Sequence, residues 1–140
     1  MNSNLKLNIN KYLKNEITIE ELINYFDKNN YSKDEIKNNG IVYTPKYICE
    51  YIIEKINPKL NETVFEPSIG HGIFVFSLLE YIEKTYNLTN IELKEYFIKN
   101  VFGQDLKEKN IKELKEIIIA FFKKRNLEIE LKEIDNFYQL

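Results

Sequence analysis

Two acidic residues stand where an acid can hold a ligand. Glu66 falls in the run Thr63-Val64-Phe65-Glu66-Pro67-Ser68-Ile69-Gly70-His71-Gly72, and Asp105 in the run Val101-Phe102-Gly103-Gln104-Asp105-Leu106. The first run reads as a short strand, then a glycine-bearing turn, then the start of an apolar helix. Glycine lets backbone approach a ligand closely, and a helix start offers unpaired N–H groups. A carboxylate at the strand end repels phosphate and attracts an ammonium, so this turn suits a cationic ligand better than a pyrophosphate. In the second run, Asp105 ends a strand and can accept two hydrogen bonds from a ribose diol, as the acid of dinucleotide folds does. Leu106 beside it can pack on an adenine face. An amino group at Glu66 and a ribose at Asp105 together describe S-adenosylmethionine.

These residues also have plain structural readings. Asp105 is in position to cap the helix after it, a role compatible with ribose binding. Thr44-Pro45 is first a helix start, with Thr44 as N-cap and Pro45 at the first helical position. His71 is read as a loop residue supplying backbone rather than as a proton carrier. One histidine and one cysteine make no transition-metal cluster, and Cys49 sits among apolar helix positions as core.

The elements that position these residues follow from periodicity. Residues 1–38 lack glycine and proline and read as two or three helices, with capping boxes at Thr18/Glu21 and Ser32/Glu35. Asn38-Asn39-Gly40 is a break, so residues 1–38 are a helical segment and 39–140 the main domain. A helix from Thr44-Pro45 carries Ile48, Ile52 and Ile56 and ends at Asn57-Pro58. The strand Thr63–Glu66 and the turn lead into a buried helix from Ile73 to Tyr86. A further helix near Ile91–Lys99 precedes the second strand, and a helix with Ile111, Leu114, Ile118 and Phe121 follows it. Leu127-Glu128-Ile129-Glu130-Leu131 alternates with period two and reads as a third strand. Strands separated by helical crossovers imply α/β architecture with a parallel, doubly wound sheet.

The length, 140 residues, suits one domain that buries about two-thirds of its unfolded surface. No apolar run approaches the roughly 20 residues of a membrane span. A single cysteine and the lack of a signal-type start point to the cytoplasm. Twenty basic against 22 acidic residues give a net charge of −2, and lysines alternate with glutamates as in Lys107-Glu108-Lys109. A DNA-gripping surface wants clustered Lys and Arg, so any grip on DNA falls mainly to other regions.

Three runs in family order then carry a resemblance. Gly40-Ile41-Val42-Tyr43-Thr44-Pro45 is similar to the motif preceding the main fold in amino-group DNA methyltransferases of restriction–modification systems. Phe65-Glu66-Pro67-Ser68-Ile69-Gly70-His71-Gly72-Ile73-Phe74 resembles their cofactor loop, D/E-P-x-x-G-x-G-x-F, and Val101 to Leu106 resembles their G-x-D/E segment. The resemblance implies the amino-terminal, S-adenosylmethionine-binding part of a bacterial adenine-N6 methyltransferase, with a partial Rossmann-like fold of three parallel strands. It places Tyr43, Thr44 and Pro45 at the cofactor, with Thr44 on the methionine carboxylate and Glu66 on the amino group. Pro67, Ser68, Gly70, His71 and Gly72 would wrap the methionine end, Phe74 would pack behind it, Asp105 would hold the ribose and Leu106 touch the adenine. His71 departs from the small residue common there.

The family's catalytic motif, Asn/Asp-Pro-Pro-aromatic, is absent, since prolines occur only at 45, 58 and 67. No catalytic residue is therefore assigned, and the chain is expected to end before that motif and to be inactive alone. Asp135 is a weak candidate for an acid on the adenine. Two other functions are weighed. A dinucleotide oxidoreductase wants G-x-G-x-x-G, but Val75 holds the third glycine position. A non-catalytic interaction or regulatory protein would keep a degenerate nucleotide loop and need not bind the cofactor. The implied strand order, third-second-first, leaves the first strand with a bare edge; a homodimer and exposure of Phe76 or Leu79 are expected from it.

Overall fold

A computed structural model of the chain describes residues 3–29, 32–39 and 43–140. Among the described residues seven α-helices, three strands and one 3-10 helix follow in the order α1 (Ser3–Leu13), α2 (Ile19–Asn29), α3 (Lys33–Asn39), α4 (Lys46–Ile56), β1 (Val64–Glu66), α5 (Ile73–Thr85), α6 (Asn90–Asn100), β2 (Val101–Asp105), α7 (Glu108–Lys123), the 3-10 helix (Leu131–Glu133) and β3 (Phe137–Gln139). The strands form one parallel sheet in the order β1-β2-β3, with Glu66 opposite Gly103 and Asp105 opposite Gln139. The expected α/β class, parallel sheet and strand order are therefore present.

Both expected capping boxes form. The Thr18 hydroxyl accepts from Glu21 N–H at 3.1 Å while Glu21 accepts from Thr18 N–H at 3.2 Å. Ser32 and Glu35 exchange the same pair of bonds at 3.1 and 2.7 Å. The helix after Thr44-Pro45 starts differently from expectation. Pro45, with φ −62° and ψ 148°, is itself the extended N-cap residue, Lys46 is the first helical one, and no side chain caps the start. Thr44 lies one residue too far out to reach the first turn.

The third strand also lies elsewhere. Residues 127–131 run beside α6 and α7 without entering the sheet, and the strand is Phe137–Gln139. The alternation there reflects one-sided burial: Leu127 and Ile129 pack on the core, while the Glu128 carbonyl accepts from Lys94 Nζ at 2.7 Å. An extended segment shows period two whether or not it has a ladder partner. Asn136 then docks the chain for β3, donating from Nδ2 to the carbonyls of Ile98 and Val101 at 2.5 and 2.8 Å.

One hydrophobic core runs through α1, α2, α5, α6 and α7, joining Leu22, Ile23 and Phe26 to Phe76, Phe97 and Phe121. Phe76 and Leu79 are fully buried rather than exposed, because α5 packs against α4 and α2 as well as α6. Among the described residues the two faces of the sheet are unequally covered. Val101, Gly103 and Phe137 face the helices and are buried, whereas the alternate residues Phe65 and Tyr138 remain 48% and 47% exposed. Parallel sheets are ordinarily buried on both faces.

Candidate functional site

The turn between β1 and α5 folds over the carboxyl end of β2 and is pinned to it. Ile69 N–H donates to the Gln104 carbonyl at 2.9 Å, and Gly70 N–H to Asp105 Oδ2 at 3.0 Å. Gly70 and Gly72 have φ of +54° and +90°, the region glycine alone enters at no steric cost. A side chain at Gly72 would also meet Leu114 at 2.7 Å and Phe76 at 3.0 Å. At Gly103 a Cβ would collide with the Ile69 side chain, so the glycine of β2 is needed for the turn to close over the strand.

Glu66 and Asp105 thus end neighbouring strands on one side of the turn. Glu66 is partly buried, and one carboxylate oxygen accepts from Ser68 N–H at 2.8 Å. Burial, with the charge of Glu66 adding to it, pushes the Cys49 thiol up to about 11. Asp105 is only 8% exposed. Its Oδ1 accepts from Lys107 N–H at 2.8 Å and Asn110 Nδ2 at 3.1 Å, while Oδ2 takes Gly70 N–H. Asp105 is not the N-cap of α7, which is Lys107. A carboxylate offers about four lone-pair sites, so one site on Oδ2 remains for an outside donor.

The other expected residues are distributed around this pair. Tyr43 and Thr44 are partly buried and Pro45 exposed, in the extended stretch before α4; Gly40, Ile41 and Val42 lie outside the described residues. Pro67 and Ser68 are exposed on the turn. Leu106 is 75% exposed just past Asp105. Phe74 lines a narrow apolar cleft of about 160 Å³ with Glu66, Val64, Phe65, Ile53 and Leu78. A larger cavity of about 420 Å³ lies between the α1–α2 turn and the residues Glu80, Lys124 and Arg125. It contains none of the expected site residues, whereas the smaller cleft holds Glu66 and Phe74; Asp105 lines neither. Asp135 precedes β3, at the opposite end of the sheet from Asp105, which removes it from this site.

His71 is the exception among the turn residues. Its side chain points inward and is 1% exposed. Nδ1 lies 2.7 Å from Asp27 Oδ1 on α2, and Nε2 lies 3.4 Å from Glu113 Oε1 on α7. Ionised carboxylates only accept, and a neutral imidazole donates through one nitrogen only. The pair of contacts therefore favours the imidazolium. Burial alone would lower the His71 pKa, but the hydrogen bonds and charges of Asp27 and Glu113 outweigh it and raise the value. The two acids lie on opposite ring nitrogens and do not converge on one point. Among the described residues no group of three or more His, Cys, Asp or Glu is placed to hold a metal ion.

Sequence reasoning missed Asp27, Glu113 and Asn110. Asn110, five residues after Asp105, is legible in hindsight as a donor from the first turn of α7 back to the end of β2. Asp27 and Glu113 are 44 and 42 residues from His71, and no local pattern pairs them.

The family described as N-6 DNA Methylase matches residues 3–130. The chain is also 22% identical, over 115 residues, to the Type I restriction enzyme EcoEI methylase subunit of Escherichia coli, a match spanning 69% of this chain and 23% of that protein. The chain thus corresponds to less than a quarter of that relative's length.

Proposed function

We propose, from the premise that the chain belongs to the N-6 DNA methylase family, that it is the S-adenosylmethionine-binding part of a site-specific DNA adenine-N6 methyltransferase acting in the cytoplasm. The observation that carries the reading is the placement of Glu66 and Asp105 at the carboxyl ends of adjacent parallel strands, with the glycine turn pinned between them. Ligands of open α/β sheets bind at that end. Glu66 would hold the methionine ammonium and Thr44 the carboxylate. The turn from Pro67 to Gly72 would wrap the methionine end, with Phe74 behind it. Asp105 would accept one ribose hydroxyl on its open lone pair, and exposed Leu106 would cover the adenine. His71, its ring turned inward, would contribute backbone only. The cofactor supplies an electrophilic methyl group; what these residues contribute is position and charge.

The adenine acceptor would be flipped from the duplex, which requires hydrogen-bond partners for its amino group and an aromatic to stack on. No Asn-Pro-Pro-aromatic run exists in the chain to provide them. DNA contact and chemistry would then reside in other regions, and this chain alone would bind the cofactor without methylating DNA. The three internal donors on Asp105 favour a second reading, an interaction protein that keeps the turn for structure only. Calorimetric titration with S-adenosylhomocysteine separates the two: binding is expected, and no heat at millimolar ligand would leave the second reading standing. No tritium from labelled cofactor should enter duplex DNA; incorporation above background refutes inactivity.

We further propose that two copies associate through the bare edge of β1. Among the described residues β1 pairs only with β2, and Phe65 is half exposed. An apolar strand edge tends to pair with another chain, most simply about a two-fold axis.

A further inference from the structure

The glycine turn is held from two sides. The sheet holds it through Ile69 and Gly70, as described above. The helices hold it through His71, the residue between the two positive-φ glycines. Glycine hinges on both flanks give the backbone at 71 little conformational preference of its own. The partners of the His71 ring therefore decide where this part of the turn sits. The shorter of the two bonds, 2.7 Å, runs to Asp27 on α2, an element outside the strand–helix unit that contains the turn. Asp27 Oδ1 also lies 3.7 Å from the point a Cβ at Gly70 would occupy, so the carboxylate borders the turn directly. Phe26, next to it, packs beside the imidazole at a centroid distance of 5.9 Å.

We propose that Asp27 is a positioning residue for the cofactor turn: through His71 it anchors the turn to α2, making the amino-terminal helices part of the cofactor-binding apparatus. The proposal rests on the reading of the turn as a cofactor site. Among the described residues the charged groups acting on His71 are Asp27 from α2 and Glu113 from α7, and they sustain its protonated form against burial. Loss of that proton leaves a carboxylate facing a bare ring nitrogen and loosens the anchor.

The chain has one histidine, so a single imidazole Cε1–H resonance reports His71 directly. Wild type is compared with Asp27→Asn, which keeps shape and an acceptor but removes the charge. The variant should lower the His71 titration midpoint in proton NMR. Hydrogen exchange of residues 66–74 should accelerate about tenfold, with residues 101–105 as protected as in wild type. S-adenosylhomocysteine affinity should fall about tenfold through lost preorganisation. In wild type, affinity should decline over the pH range in which His71 loses its proton. Unchanged turn exchange and affinity in a folded Asp27→Asn protein overturn the proposal. If the variant does not fold, the wild-type series decides, and turn exchange that is flat across the His71 titration overturns it. If wild type binds no S-adenosylhomocysteine, the cofactor reading falls, while turn exchange still tests the anchor by itself.

Discussion

Glu66 and Asp105 carry the same charge at the same end of adjacent strands, yet their surroundings differ. Asp105 ends the central strand, is buried, and already accepts three hydrogen bonds from Gly70, Lys107 and Asn110. Glu66 ends an edge strand, is partly exposed, and accepts one backbone bond from Ser68. A carboxylate whose lone pairs are mostly taken by the protein holds the fold together and has little left for a ligand. A carboxylate with open capacity contributes little to folding and can contribute much to binding. The contrast separates two properties that share a motif.

The largest effect should come from Asp105→Ala. It strips the acceptor from three donors, and each buried donor left unpaired costs about 1–3 kcal/mol. Urea unfolding should show a loss of roughly 3 kcal/mol or more, with S-adenosylhomocysteine binding lost as well. A change under about 0.5 kcal/mol, the size of an ordinary surface substitution, would break the comparison. Glu66→Gln should do the reverse. Affinity should weaken by about 1.5–3 kcal/mol, the worth of a hydrogen bond to a charged group, while stability moves by no more than about 0.5 kcal/mol.

His71 lies on the turn that follows Glu66, its ring between Asp27 and Glu113, and pH sharpens the picture there. Its folded pKa is raised above the unfolded value of about 6.5. The stability it contributes is therefore fully present below that unfolded value and is lost as pH rises through the higher folded one. Unfolding midpoints followed from pH 6 upward should fall, and Asp27→Asn should flatten the slope. A midpoint that climbs over this range would reverse the assignment. The smallest effect concerns the edge strand itself. Phe65→Lys places a charge on the half-exposed face beside Glu66 and should shift size-exclusion light scattering from dimer toward monomer. Wild type that is monomeric at high micromolar concentration removes the dimer altogether.

Much of the fold was legible in the sequence where the cause is local. The capping boxes at Thr18 and Ser32 form because donor and acceptor lie three residues apart. The turn with Gly70 and Gly72, and the acids ending β1 and β2, are likewise written in short runs. Two local signals misled. Thr44-Pro45 starts a helix, but ψ of 148° at Pro45 moves the cap one residue on. The alternation at 127–131 reported burial of Leu127 and Ile129 on one side and not a ladder, and Leu131 is exposed at the start of a 3-10 turn.

What the sequence by itself determined is the class of the fold, the order of its helices and first two strands, and the acids that end those two strands, because these depend on periodicity and on neighbours within a turn of chain. Only the tertiary structure decided where β3 lies, since a strand exists by virtue of its partner and Gly103 pairs with Phe137 across an intervening helix. It also decided that His71 turns inward between Asp27 and Glu113, and that Asp105 spends most of its capacity on Gly70, Lys107 and Asn110. Hydrogen bonds spanning 35 to 44 residues leave no periodic trace in the chain; they arise only when packing of the apolar faces has brought α2, the turn and α7 together.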